Sequence, residues 1–185
     1  MIPYTIERRP DTGVTNVTMG VWLFLASEVM LFGALFSAYT LLRVSAPQWP
    51  HGRELLALGI GMFNTLILLG ATTAVWRARQ SQRLGPLAIA SVLAFVFLAL
   101  KSVEYTGELA RGLRPAVSTF LAMYYTLTGF HAAHVAGGII ANLWIIAGAK
   151  RTGAAMTAGR LHAVSLYWTF VDVIWMIVFV LLYLS

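Results

Sequence analysis

The 185-residue chain contains no cysteine. That absence excludes disulfide frameworks, thiolate zinc sites, iron–sulfur ligation and cysteine nucleophiles. Charge is scarce too: Asp, Glu, Lys and Arg make up 11% of the chain, against about 25% in soluble domains. Long polar stretches are missing, so no segment is left over to fold as a separate soluble domain. What the chain has in excess is apolar side chain, 59% of all residues. A chain of this length cannot hide so much apolar surface inside itself, so lipid is part of its solvent.

The net charge of +6 comes from 13 Lys and Arg against 7 Asp and Glu. These basic residues form no stripe interleaved with aromatics, which argues against a nucleic-acid partner. They cluster between apolar runs, where membrane proteins carry topogenic charge.

Five apolar runs follow a polar tail at residues 1–16. They extend over about Val17–Leu42, Leu55–Trp76, Pro86–Tyr105, Val117–Ala149 and Leu161–Leu184. The first is too long for a signal-peptide core, and no small-x-small cleavage site follows it. Each run reaches the roughly 20 residues needed to cross about 30 Å of hydrocarbon. Lipid offers the backbone no partners, so spans of this kind are helices; the ~10-residue alternation of a β-barrel is absent. The chain therefore predicts an all-α membrane protein, a bundle of five transmembrane helices over residues 17–185. Arg8, Arg9, Arg77, Arg79, Arg83, Lys150, Arg151 and Arg160 fall on one side of that topology, and Arg43, Arg53, Arg111 and Arg114 on the other. The excess places the N-terminus in the cytoplasm and the C-terminus in the periplasm. In the fourth run Gly129, Ala133, Gly137 and Ala141 recur every four residues, a spacing that lets helices approach closely in lipid.

A charge at mid-bilayer costs about 2.5–3.5 kcal/mol on translocon scales, so each one needs a reason. Glu28, His131, His134 and Asp172 fall at similar depth on three helices and are expected to share a network facing the bundle interior. Lys101 and Glu104, three apart on one helix, are expected to pair with each other, or Glu104 to reach a histidine. For His131 and His134 the competing readings are haem or metal ligation and a hydrogen-bonded structural role. A bis-histidine haem needs ligands facing each other from two helices, and the remaining histidines, His51 and His162, sit at helix ends. No metal site or catalytic group is assigned. Glu28 is read either as a proton-carrying carboxylate or as a carboxyl that fixes packing.

In this setting the motifs resemble subunit III of haem–copper terminal oxidases, the cytochrome c oxidase subunit III family. The first span, MGVWLFLASEVMLFGALFSAYTLLR, is similar to the family segment that carries a membrane glutamate, here Glu28. Asn64-Thr65, LKSVEY ending the third run, TGFHAAHVAGG in the fourth and LYWTFVDVIW in the fifth match in order. The resemblance runs from about Thr15 to the C-terminus. Thr169 stands where the family commonly has His. The five runs correspond to the short form, which lacks the first two helices of longer members.

The resemblance implies a subunit without haem or copper of its own, the redox centres lying in partner subunits. It implies packing against the catalytic subunit I and other oxidase subunits, stability of the active site over many turnovers, and a place near a proton-uptake path. Bound phospholipid is also implied, with Lys150 and Arg151 as candidate headgroup contacts, in a bacterial-type plasma membrane. The Ser27-Glu28-Val29 pattern leans toward the cytochrome c branch; a quinol oxidase or a nitric oxide reductase accessory subunit is the alternative. Two other classes stay open, a b-type haem membrane anchor and a small transporter, although no inverted repeat is seen.

Overall fold

The computed structural model describes residues 7, 9–149, 151 and 153–184. Arg8 and Lys150 lie outside the described residues. The described residues form six helices: α1 Asn16–Ser45, α2 Gly52–Leu55, α3 Leu58–Ser81, α4 Gly85–Ala110, α5 Thr119–Gly148 and α6 Ala154–Tyr183. All but the four-residue α2 are long and apolar enough to cross a membrane. The chain is a multi-pass all-α membrane protein, and no strand occurs among the described residues.

Three helix ends depart most from the apolar runs. α3 continues from the expected Trp76 to Ser81, α4 from Tyr105 to Ala110, and α6 begins at Ala154 rather than Leu161. The apolar run marks what sits in hydrocarbon, whereas the helix continues until a residue can close it. α4 stops at Arg111, whose N–H meets the Glu108 carbonyl, and Gly112 then takes φ +80°. At 1.5 Å per residue, the 30 residues of α1, α5 and α6 outreach the bilayer core, so their ends project.

The N-terminal entry is built locally. Arg9 grips Asp11 through two bonds of 2.9 and 2.8 Å, and the guanidinium holds that carboxyl down to about 2. The Thr15 hydroxyl then caps α1 by accepting from Thr18 N at 3.2 Å. α3 and α4 form a hairpin closed by Gln82, which adopts φ 52° and donates its amide to the Arg79 carbonyl at 2.5 Å. Asn and Gln side chains that bond locally offset part of the cost of that left-handed conformation.

α6 is the central element and packs against α1, α2, α3 and α5. Its indoles Trp168 and Trp175 are fully buried. Trp168 Nε1 donates to Asn142 Oδ1 at 3.1 Å, and Asn142 Nδ2 donates to Ser91 Oγ at 3.2 Å. Trp175 Nε1 donates to Thr65 Oγ1 at 3.0 Å. The two indoles thus tie α6 to α5, α4 and α3 by donors that hydrocarbon could not satisfy. α1 is peripheral, with only Leu25, Phe32 and Tyr39 buried. Tyr39 anchors it by donating to the Leu181 carbonyl at 2.7 Å.

The small-residue stripe of α5 lies differently from its expected place. Ala133 and Gly137 are exposed, and a Cβ on Gly129 would meet nothing within 4 Å. The inward face of α5 is instead His131, Val135, Gly138, Asn142 and Ile145. The close approach occurs at Gly138, where a Cβ would stand 2.8 Å from Trp168 Cζ2. Trp168 is buried and held by Asn142, so it cannot swing away. Gly138→Ala is therefore expected to destabilise the bundle by about 1–3 kcal/mol through overpacking, read as a lower melting temperature, whereas Gly129→Ala leaves it unchanged. At the N-terminus the sign is that of a depressed carboxyl: the Arg9–Asp11 clasp holds at neutral pH and opens as pH falls through about 2, which amide exchange across the Arg9–Val14 turn would register.

Candidate functional site

The polar side chains inside the membrane divide into separate groups. The first joins α1 to α5. Glu28 Oε2 lies 2.9 Å from His134 Nε2, with the side chains 15% and 14% exposed. His134 Nδ1 is 2.7 Å from the Phe130 carbonyl, which can only accept, so Nδ1 carries a hydrogen. One further proton then occupies the Glu28–His134 contact, either as a carboxylic acid donating to imidazole or as an imidazolium donating to carboxylate. The Phe32 ring stands edge-on to His134 at 5.1 Å. Tyr167 fixes the local backbone by donating to the His134 carbonyl at 2.6 Å. The pair can hold and pass a proton at the lipid-facing seam between α1 and α5.

His131 and Asp172 do not join this pair. His131 is fully buried, with Nε2 3.1 Å from the Val171 carbonyl and Nδ1 unpartnered. Its ring packs against Phe97 at 5.7 Å and Trp175 at 5.0 Å. Asp172 is 8% exposed with Oδ1 unpartnered. The expected four-residue network is therefore one pair and two separate groups. Three residues turn a helix by about 300°, which leaves His131 facing α6 while His134 reaches α1. Among the described residues, no three His, Cys, Asp or Glu side chains come together as a metal site would require.

The second group ties α4 to α5 and α6. Lys101 Nζ lies 3.0 Å from Glu104 Oε2, within the expected pair, and 3.0 Å from the Tyr124 hydroxyl. It also donates to the Tyr183 hydroxyl. Four rings surround the ammonium, those of Tyr105, Tyr124, Trp175 and Tyr183, with centroids 4.7–5.7 Å away. Tyr183 donates to Glu104 Oε1 at 2.5 Å, and the Tyr124 hydroxyl lies 3.0 Å from Glu108 Oε1. Sequence reasoning missed Glu108, Tyr124 and Tyr183. Glu108 was legible, because Lys101, Glu104 and Glu108 follow the i, i+3, i+7 spacing of one helix face. The tyrosines come from α5 and α6 and carried no such signal.

Toward the basic end, Arg151 is exposed and Arg160 stacks on Trp144 at 4.2 Å. Arg160 lines an apolar groove of about 240 Å³ together with Phe24, Trp144 and Tyr167. Thr169 accepts from Trp76 Nε1 at 3.0 Å and donates to the Ser165 carbonyl at 2.8 Å, so a hydroxyl ties α3 to α6 at this position.

Comparison with known proteins agrees with the ordered motifs. Residues 10–185 match the family described as cytochrome c oxidase subunit III. The chain is 32% identical to cytochrome c oxidase subunit 3 of Bacillus sp. (strain PS3), covering 98% of this chain and 92% of that one. It is 31% identical to cytochrome bo(3) ubiquinol oxidase subunit 3 of Pseudomonas putida, covering 94% and 87%. It is also 31% identical to a haem–copper oxidase subunit I+III of Aeropyrum pernix, over 91% of this chain and 23% of that longer protein.

Removing the cation from the α4–α5–α6 cluster leaves buried carboxyls without their counter-charge, which costs roughly 3–5 kcal/mol. Lys101→Met is expected to lower the melting temperature of the purified protein accordingly. Lys101→Met combined with Glu104→Gln should recover a large part of the loss, and a double variant no more stable than the single one would refute this account of the cluster.

Proposed function

Because the chain belongs to the cytochrome c oxidase subunit III family, we propose that it packs against the catalytic subunit I of a haem–copper respiratory oxidase and preserves that subunit's active site through repeated turnover. Haem and copper sit in the partner subunits, and this chain adds helix surface and proton-holding groups. The observation that carries the reading is the bareness of α1: of its 30 residues three are buried, although it bears the Glu28–His134 pair. A helix so weakly packed by its own chain fits a component of a larger membrane assembly. The relative in which subunits I and III share one name supports subunit I as the neighbour.

Glu28 and His134 are assigned to that interface and to proton supply near the entry of the uptake path. The medium there is partly apolar, and the pair with its one shared proton is neutral at rest; a proton that enters the pair as the shared one leaves passes on without a net charge remaining in lipid. Phospholipid fills the groove lined by Arg160, and Lys150 and Arg151 are its candidate headgroup contacts. The host membrane is the bacterial plasma membrane, with the N-terminus in the cytoplasm and the C-terminus in the periplasm. The reduced donor is cytochrome c; the similarity to a ubiquinol oxidase subunit favours quinol as the second reading, and turnover of the purified complex with each donor separates them.

Two measurements test the proposal. In the assembled complex, Glu28→Gln is expected to reduce proton pumping and to hasten turnover-dependent inactivation; unchanged turnover, pumping and inactivation would remove Glu28 from the mechanism. The cysteine-free chain also makes single-cysteine labelling unambiguous. Gln82→Cys should react with an impermeant thiol reagent only from the cytoplasmic side, and Gly112→Cys only from the periplasmic side.

A further inference from the structure

The cluster of α4, α5 and α6 places one ammonium against two carboxyl groups, with Lys101 2%, Glu104 3% and Glu108 1% exposed. It lies at the opposite end of the bundle from the arginine-rich turns, and it is separate from the Glu28–His134 pair. Its hydrogens can be followed atom by atom. Lys101 spends its three N–H bonds on Glu104 Oε2, Tyr124 and Tyr183. Tyr183 passes its own hydrogen to Glu104 Oε1 at 2.5 Å, so both oxygens of Glu104 accept from donors, as an ionised carboxylate beside an ammonium requires. Tyr124 has one hydrogen to give, and lies 3.1 Å from Glu104 Oε1 and 3.0 Å from Glu108 Oε1. Glu104 already accepts from Lys101 and Tyr183, whereas no other donor reaches Glu108 Oε1, so the Tyr124 hydrogen is assigned to Glu108.

Glu108 Oε2 then has no hydrogen-bond partner. The Tyr125 hydroxyl has committed its hydrogen to the Leu113 carbonyl at 2.9 Å. The other groups around the site do not supply the missing hydrogen. Tyr105 is engaged with Thr128 at 2.5 Å. Arg111 is directed at the Leu55 carbonyl at 3.4 Å. Arg53 and Glu54 of α2 are exposed. The ionisable side chains of α3 are Arg77 and Arg79 at its far end.

We infer that Glu108 is a proton-binding site, a buried carboxylic acid that carries its hydrogen on Oε2 and exchanges it with water at the end of α4. The step is a simple protonation: a proton from the aqueous phase forms the Oε2–H bond, and the same bond breaks when it leaves. With the proton in place the cluster holds one ammonium and one carboxylate and is neutral. Without it, a second negative charge is left in a sealed space where Glu104 and Glu108 share a single bridging phenol, Tyr124. Glu108 precedes the end of α4 by two residues, so the exchange path is short. The site thus couples the proton activity on that side of the membrane to the contacts joining α4, α5 and α6.

Infrared spectroscopy of the assembled complex tests the assignment. The wild type is expected to show a carboxylic-acid C=O band that shifts on transfer to D2O, that Glu108→Gln removes in full and that Glu28→Gln leaves in place. Tyr124→Phe, which deletes the hydrogen bond donated to Glu108 Oε1, should keep the band and move it to higher frequency; this variant decides the matter if Glu108→Gln fails to assemble. A carboxylic-acid region unaltered by Glu108→Gln, or a band that Tyr124→Phe does not move, overturns the inference.

Discussion

Hydrocarbon provides no hydrogen-bond partners, and this one constraint organises the molecule. It forces every span into a helix, because only a helix satisfies its own backbone. It then favours polar side chains at depth that find partners on other helices. The indoles of Trp168 and Trp175 meet it through Asn142 and Thr65, and the ammonium of Lys101 through two phenols and a carboxylate. These contacts bind helices whose apolar surfaces lipid would cover almost as well as protein, so they supply specificity that apolar contact alone cannot.

The same constraint separates a rigid part of the bundle from an open one. α3, α4, α5 and α6 share the buried indoles and the lysine cluster. α1 contributes three buried side chains and a single ionisable link, Glu28 to His134. A helix held this lightly by its own chain leaves most of its surface to the surroundings, and the Glu28–His134 pair lies where it meets α5. The two ionisable groups therefore differ in kind. The Glu28–His134 pair is partly exposed, whereas Lys101, Glu104 and Glu108 are almost fully buried.

Composition and run length alone establish the all-α membrane class and the five spans. A long apolar run in lipid has one backbone solution, so neither conclusion needs knowledge of packing. The lysine–glutamate pair was legible for the same reason, since residues three apart on a helix are neighbours whatever surrounds the helix. The order of the five motifs was enough to mark the family. Helix ends were less legible, because hydropathy reports the hydrocarbon boundary and not the point where a residue such as Arg111 closes a helix.

Which helix faces which was decided only in three dimensions. Gly138 rather than the Gly129–Ala141 stripe receives the indole, and His131 and His134 part company across a single turn. Tyr124 and Tyr183 converge on Lys101 from positions 23 and 82 residues away. The rotation of a helix about its axis is set by the side chains it meets, which a linear pattern does not contain. The sequence by itself determined how many times this chain crosses the membrane and which charges it carries in. The tertiary structure decided which of those charges share a proton, and the partners come from helices far apart in the chain.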